Sequence, residues 1–469
     1  MASKRSEYLL RNLPSPVKNF AMGLNSYLHR NKKYGRIYQE DLIQLRKNFK
    51  LSHEHLVQVQ TQSLSHLLSQ VFIDGENDYA RTMRDADITL DFINDDPMKA
   101  LSLIPRVEKL DFKANLKRFT LSSVDVFSVT QTSGTSGSPM VVPYDESGFQ
   151  KGFSCWRRFY DLMGLPSRFR NMRFSGRVFT AAKNPKPNQL WVNDWFERRL
   201  FASTYHMTDQ NLKAYVDKLN RYKPELIDGY PSALEVLARF IETNNLNLEC
   251  SPIAIACTAE TLFQTQRELI ERVFGCKIFN QYASSEGGPW ITECREGQLH
   301  LNLDTGVFEF RYVEEESEFA ELVVTSFRNR KIPLIRYCTG DVVTDPKYPG
   351  PCACGLDTPT VKEIIGRTDD ILESTERGLV GRLDPVYKGV VGINQSQIQQ
   401  VGIDVFRMLI VPESNFTESE LGKLKANFHD RLGLSVKLEI EMVDSIPHSK
   451  NGKFRSVVRL DSKPPLIGS

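Results

Sequence analysis

Residues 131–139 read QTSGTSGSP, a run of serine and threonine hydroxyls set between and beside Gly134 and Gly137. Glycines let the backbone turn tightly and bring its N–H groups close to an anion. Hydroxyls add donors that rotate to meet phosphate oxygens. The chemistry on offer is a grip on phosphate; the plain alternative is a flexible polar hairpin. The run is not a Walker A loop, because only two residues separate the glycines and no Lys-Ser/Thr follows.

Four further stretches carry groups suited to a nucleotide. In 280–288, NQYASSEGG, Tyr282 can stack on a base, Ser285 can reach phosphate and Glu286 can hold Mg²⁺. In 336–341, RYCTGD, the two oxygens of Asp341 can accept both hydroxyls of a ribose. In 366–370, GRTDD, Arg367 offers a guanidinium for phosphate or carboxylate. In 446–455, IPHSKNGKFR, Lys453 follows an Asn-Gly turn. Cys294, His300, Cys352 and Cys354 together make a Cys₃His set, the donors of a closed structural Zn²⁺ site; the alternative is four unrelated residues. Cys155, Cys250, Cys257 and Cys276 show no ligand spacing, and Cys338 reads as packing.

These groups need elements to hold them. Residues 124–129 and 140–143 predict strands on either side of the Ser/Thr/Gly run. Residues 1–110 read as mainly helical, with Leu56, Val59, Leu64, Leu67 and Leu68 at helical spacing, and the basic run 30–33 as a solvated face. Beyond about residue 120, strand and helix patterns alternate. Leu212, Tyr215, Val216, Leu219 and Tyr222 share one helical face, as do Leu234, Leu237, Phe240 and Ile241, and 253–257 is a short apolar strand. Such alternation predicts an α/β fold with parallel and mixed sheets. The last hundred residues predict a small α+β unit: a strand over 405–411, a helix opened by the Thr417/Glu420 capping box and closed at Gly433, and an alternating strand over 436–442. The expected division is 1–110 as the helical part of a large domain, 111–368 as its ligand-binding part, and 369–469 as a small mobile domain hinged near 366–370.

The 469 residues allow two or three domains, and 41% hydrophobic with 25% charged residues is an ordinary globular composition. A net charge of +2 gives no reason to expect nucleic acid. No apolar run is long enough to span a membrane and no signal-peptide pattern is visible, so the cytoplasm is the expected compartment, with the eight cysteines as thiols or metal ligands.

In this order the motifs resemble those of the adenylate-forming (acyl-CoA synthetase) superfamily. Residues 132–139 look like its phosphate loop, 282–286 like its Tyr-Gly-x-Thr/Ser-Glu motif, 337–341 like its Tyr-x-Thr-Gly-Asp motif, 446–453 like its C-terminal Gly-Lys motif, and 258–262, TAETL, like the segment bordering the adenine. Residues 156–160, 203–206, 228–232 and 381–384 place the resemblance in the phenylacetate–CoA ligase branch, among capsule-biosynthesis-type proteins. The resemblance implies a large adenylate-forming domain with a small C-terminal lid. It implies that ATP·Mg²⁺ and a carboxylic acid give an acyl-adenylate and pyrophosphate, and that an acceptor thiol, CoA in the ligases, then takes the acyl group. Carried over, Thr132, Ser133, Gly134, Thr135, Ser136 and Gly137 would grip phosphate. Ala259, Glu260, Gln281, Tyr282 and Ser285 would border the nucleotide, Asp341 would hold ribose, and Arg367 would lie at the hinge. Glu286 would bind Mg²⁺ and Lys453 would reach the α-phosphate. Tyr205, His206, Tyr230 and Ser232 would line the acid pocket and suit a ring-bearing or polar acid, with His206 alternatively a core histidine. Two departures stand out. Ser138 occupies the position where the loop usually carries lysine, and 376–384 replaces the segment that usually follows the hinge in the acyl-CoA ligases. An amide- or ester-forming ligase acting on an amine, amino acid or sugar is therefore the second reading, and a degenerate nucleotide-binding member the third.

Overall fold

The computed structural model describes residues 13–131, 140–180, 185–312, 317–367, 371–380, 383–387, 390–447 and 454–460. The fold is mixed α/β, as the alternation of patterns requires. It has two compact units: Met1–Arg168 with Asp194–Arg198 and Phe279–Ile364, and Phe169–Asn193 with Arg199–Ile278 and Ile365–Ser469.

The first unit opens with helices Ser15–Leu28, Arg30–Tyr34, Arg36–Asn48 and His53–Asp74. The last of these starts where the Ser52 side chain accepts the His55 N–H and stops at Gly75, whose φ of 76° no β-carbon favours. Its Leu56, Leu64, Leu67, Leu68 and Val71 are buried, while the expected Val59 is only half-buried. The basic run 30–33 is more engaged than a solvated face: Lys33 pairs with Glu197 at 3.0 Å and Lys32 lies over the Phe127 ring at 5.0 Å. Behind the helices, one sheet is ordered Val107–Glu108, Tyr337–Thr344, Phe319–Ser326, Gly306–Tyr312, and a second, antiparallel sheet is ordered Gln281–Tyr282, Ile291–Glu293, Leu299–Leu301, Thr360–Val361. The strands beside the Ser/Thr/Gly run are Ser128–Gln131 and Val141–Tyr144. Residues 124–127 are not strand, despite their composition, because the hairpin partner ends at Tyr144.

The second unit is built on a sheet ordered Trp191–Asp194, Arg199–Ser203, Asn171–Ser175, Leu226–Gly229, Ala254–Cys257, Ile278–Phe279, whose central pairings are parallel. Helices Asp209–Tyr222 and Pro231–Thr243 bury the predicted Leu212, Tyr215, Val216, Leu219, Leu234, Leu237 and Ile241. The C-terminal part carries a core of its own around Ile398, Phe406, Met408, Leu424 and Phe428. There the parallel strands Val405–Pro412 and Lys437–Met442 are joined by helix Glu418–Leu432, with Thr417 as its N-cap. Gly433 ends that helix, but its φ of 110° and ψ of 153° are not the left-handed cap.

A buried charge cluster ties the first unit together. Arg158 on helix Glu146–Leu162 donates to Asp304 at 2.6 Å, and Asn48 donates to the same oxygen at 2.8 Å. Arg328 donates to the Asp304 carbonyl at 3.2 Å and to both oxygens of Asp41, on helix Arg36–Asn48, at 3.1 and 2.9 Å. Taking the carboxylate away from buried Arg158 leaves a charge without its counter-ion, a loss of about 3–5 kcal/mol. Asp304→Ala should therefore lower the urea unfolding free energy by about that amount; a loss under about 1 kcal/mol would contradict this account.

Candidate functional site

The motif at 337–341 is a β-bulge. Cys338 pairs with Val323 and Val342 with Glu321, so Thr339, Gly340 and Asp341 together face Leu322 alone. Gly340 takes a φ of 72°, and its N–H bonds Glu321 at 2.9 Å. A bulge turns the side chain that follows it out of the regular pleat, and Asp341 is thereby brought to Tyr282. The Tyr282 hydroxyl donates to Asp341 Oδ2 at 2.8 Å. Burial, with the Asp341 charge beside it, pushes the phenol well above its usual range, so it stays a donor.

Four residues further along, Glu286 is almost wholly buried and pairs with Lys109 Nζ at 3.5 Å. Lys109 Nζ also donates to the Thr339 carbonyl at 2.9 Å. Sequence reading passed over Lys109; its only signal is that strand Val107–Glu108 pairs in parallel with Tyr337 and Cys338, which the sequence alone does not reveal. The hairpin around the Ser/Thr/Gly run is fastened to the same place, since Tyr144 and Thr130 donate to the Ser285 carbonyl at 3.0 and 3.4 Å. Gly287 has a φ of 90°, and a β-carbon there would lie 2.9 Å from the Tyr144 hydroxyl. Gln281 is buried and its strand pairs with Thr292. Tyr282, Ser285, Glu286 and Asp341 thus form one connected group in the first unit.

The second unit carries the others. Ala259 has a φ of 68°, an uncommon conformation for a residue with a β-carbon. It sets Glu260 to accept the Ser232 N–H at 3.2 Å and the Phe454 N–H at 3.0 Å. The segment expected to border adenine is therefore tied to the residue after Lys453. Tyr230 caps helix Pro231–Thr243, and burial raises its phenol above the usual range. His206 lies in the turn Thr204–His206 that follows strand Arg199–Ser203. Its Nε2 is buried with no hydrogen-bond partner among the described residues, and burial holds its imidazole below the usual range. The hydroxyls of Ser175, Ser203 and Thr204 are likewise buried without a partner among the described residues. Tyr205 is exposed. Arg367 closes strand Glu363–Arg367. Thr132, Ser133, Gly134, Thr135, Ser136, Gly137, Ser138 and Lys453 lie outside the described residues.

Cys294, His300, Cys352 and Cys354 converge, their ligand atoms all within 4.8 Å of one another. The antiparallel strands Ile291–Glu293 and Leu299–Leu301 bring Cys294 and His300 together. A turn closed by Cys352 N–H to Leu356 O at 2.8 Å and Gly355 N–H to Cys352 O at 2.9 Å presents the other two. Thr358 Oγ1 meets His300 Nδ1 at 2.9 Å, which turns Nε2 toward Cys354 Sγ at 3.5 Å. Burial pushes the imidazole down to about 4, the neutral form a metal ligand needs.

No helix among the described residues is long and apolar enough to cross a membrane. Residues 372–460 match the CapK C-terminal domain model. Protein CapK of Staphylococcus aureus is 29% identical over 455 residues, covering 96% of this chain and 98% of that protein. A phenylacetate–coenzyme A ligase of Thermus thermophilus is 23% identical over 456 residues, covering 87% and 98%. A 2-hydroxyisobutyryl-CoA ligase, solved in the postadenylation state with an acyl-AMP, shares the fold at a TM-score of 0.67 with 15% identity, over 87% of this chain and 90% of that one.

The bond between Tyr282 and Asp341 generates a direct check. Tyr282→Phe removes a donor to a charged group, worth about 1.5–3 kcal/mol. The variant should lose about that much stability by denaturant titration, and a value indistinguishable from the parent would refute the bond.

Proposed function

We propose that this chain, a relative of CapK and of phenylacetate–CoA ligase within the adenylate-forming superfamily, activates a carboxylic acid with ATP as an acyl-adenylate, releases pyrophosphate, and passes the acyl group to an acceptor. The observation that carries this reading is the connected group Tyr282–Asp341 with Glu286–Lys109, fastened through Ser285 to the hairpin of the Ser/Thr/Gly run. A bulge-mounted carboxylate beside an aromatic ring suits a nucleoside, and a buried carboxylate fastened to the hairpin that carries the Ser/Thr/Gly run suits a metal-bound triphosphate. Mg²⁺ bound at Glu286 would supply charge compensation to the phosphates.

The chain's own residues divide the work. Tyr282 would cover the adenine and, through its hydroxyl, hold Asp341 in place for the ribose. Gln281, Ser285, Ala259 and Glu260 would border the nucleotide. Thr132, Ser133, Gly134, Thr135, Ser136 and Gly137 would grip the phosphates, with Arg367 near the hinge. A free carboxylate is a poor acylating agent because its leaving group is oxide; adenylation supplies a better one. Lys453 would stabilise the charge that grows where the carboxylate oxygen meets the α-phosphorus. Residues 369–469 would move as the small domain between adenylation and transfer.

The acid would bind beside Tyr205, His206, Tyr230 and Ser232, outside the carboxyl ends of the parallel strands, where ligands of open α/β sheets lie. The buried hydroxyls of Ser175, Ser203 and Thr204 and the neutral His206 favour the polar alternative over a purely apolar ring. An apolar acid would leave these groups without partners, at about 1–3 kcal/mol each. ATP–pyrophosphate exchange with matched acids tests both statements. A hydroxyl- or amino-bearing acid should exceed its deoxy partner in kcat/KM by at least about tenfold. Preference for the deoxy partner removes the polar pocket, and no exchange with any acid removes adenylation. For the acceptor, a thioester formed with CoA selects the thiol, while exchange without thioester selects an amine or hydroxyl, the reading that the unusual segment 376–384 keeps in play.

The Cys₃His cluster would hold one structural Zn²⁺. Tetrahedral thiolates at about 2.3 Å from zinc stand about 3.8 Å apart, and Cys294 Sγ lies 3.9 Å from Cys352 Sγ. Protein purified without added metal should contain about one zinc per chain by elemental analysis, and its removal should lower the melting temperature. Less than about a tenth of that, with freely titrating thiols, would end the idea.

A further inference from the structure

We propose that Lys109 is the cation that this site presents to the terminal phosphates of ATP. The inference rests on the adenylation reading and adds a phosphate-binding residue to it.

The sequence shows why such a residue is needed. The run at 131–139 offers hydroxyls and backbone N–H groups but no lysine or arginine. A magnesium-bound triphosphate still carries surplus negative charge, and hydroxyl donors do not neutralise it. In a site from which water is excluded, that charge must meet a cation.

The fold supplies one from a distant part of the chain. Strand Val107–Glu108 pairs in parallel with Tyr337 and Cys338, which lays the next residue, Lys109, against Thr339 at the start of the bulge. Its ammonium touches two parts of the candidate site at once, the Thr339 carbonyl at 2.9 Å and Glu286 Oε1 at 3.5 Å. The Glu286 side chain is 8% exposed and that of Lys109 is 28% exposed. The carboxylate is thus enclosed while the ammonium keeps an open side. An ammonium serving only as a structural counter-ion would be most stable sealed in with its partner; this one is half of a pair that faces outward. A lysine suits the task better than arginine here, because its compact head has three rotatable donors and can serve the carbonyl, the carboxylate and a phosphate oxygen together. Before nucleotide binds, the pair holds Glu286 in place. Glu286 would hold the Mg²⁺, and the third donor and the charge of Lys109 would then remain for phosphate.

The test uses the full chain and three proteins: the parent, Lys109→Met and Lys109→Arg. Exchange kinetics report ATP and acid separately, calorimetric titration with magnesium pyrophosphate reports phosphate binding without any acid, and thermal melting reports the fold. Lys109→Met should lower kcat/KM for ATP by about 10²-fold and weaken pyrophosphate binding about tenfold or more. The KM for the acid should stay in place, and Lys109→Arg, which keeps the counter-ion of Glu286, should restore the melting temperature and a substantial part of the pyrophosphate binding. A methionine variant that binds pyrophosphate like the parent, or an arginine variant that melts like the parent yet binds pyrophosphate no better than the methionine variant, overturns the assignment. So does a parent that binds no pyrophosphate. If the parent exchanges with no acid, adenylation falls, yet the pyrophosphate titration still decides the role of Lys109.

Discussion

Buried Asp304, whose carboxylate accepts from the Arg158 guanidinium and the Asn48 amide and whose backbone carbonyl accepts from Arg328, decides how the first unit is put together. Burial alone would push its carboxyl up, but Arg158 and Arg328 outweigh that and hold it below the usual range. Each charge would be costly without the others, so helices Arg36–Asn48 and Glu146–Leu162 and the turn at 303–305 can pack in only one relation. The turn after strand Phe319–Ser326 is fixed by the same network through Arg328. Its neighbours carry the constraint toward the site. Asn329 donates to the Pro143 carbonyl at 3.0 Å, Arg330 donates to Asp145 at 2.9 Å, and the Ser326 hydroxyl donates to the Gly287 carbonyl. Both the hairpin of the Ser/Thr/Gly run and the loop after Glu286 are thereby set from one buried cluster.

What this constraint delivers is preorganisation. Asp341 and Glu286 each already have a hydrogen-bonding or charged partner, so neither must reorient when a ligand arrives. The close passage of Gly287 beneath the Tyr144 hydroxyl leaves no room for a side chain there, which explains why a glycine must follow the carboxylate. In the second unit the arrangement is different. A parallel sheet ends in buried hydroxyls that have no partner among the described residues, an unfavourable state unless something polar fills the space.

Most element types, though not the strand expected over 124–127, and the order of the motifs are legible in the residue types and their spacing. Periodic burial marks helices such as Asp209–Tyr222, the Thr417 N-cap marks where Glu418–Leu432 begins, although the Glu420 carboxylate turns to the Val391 N–H instead of closing a capping box, and Tyr282, Glu286 and Asp341 stand out as candidates by residue type and order. Local chemistry sufficed there, because each signal lies within a few residues. The tertiary structure alone decided which of these groups touch. The bulge at 339–341 depends on register between strands, the Lys109–Glu286 pair on a parallel pairing across more than two hundred residues, and the four-residue sulfur–imidazole cluster on two turns brought together by a sheet. The same holds for Asp304, which looks like any surface aspartate until three distant segments enclose it. Contacts between distant segments follow from packing and register, which a single chain of residue types specifies only collectively and which no local pattern records.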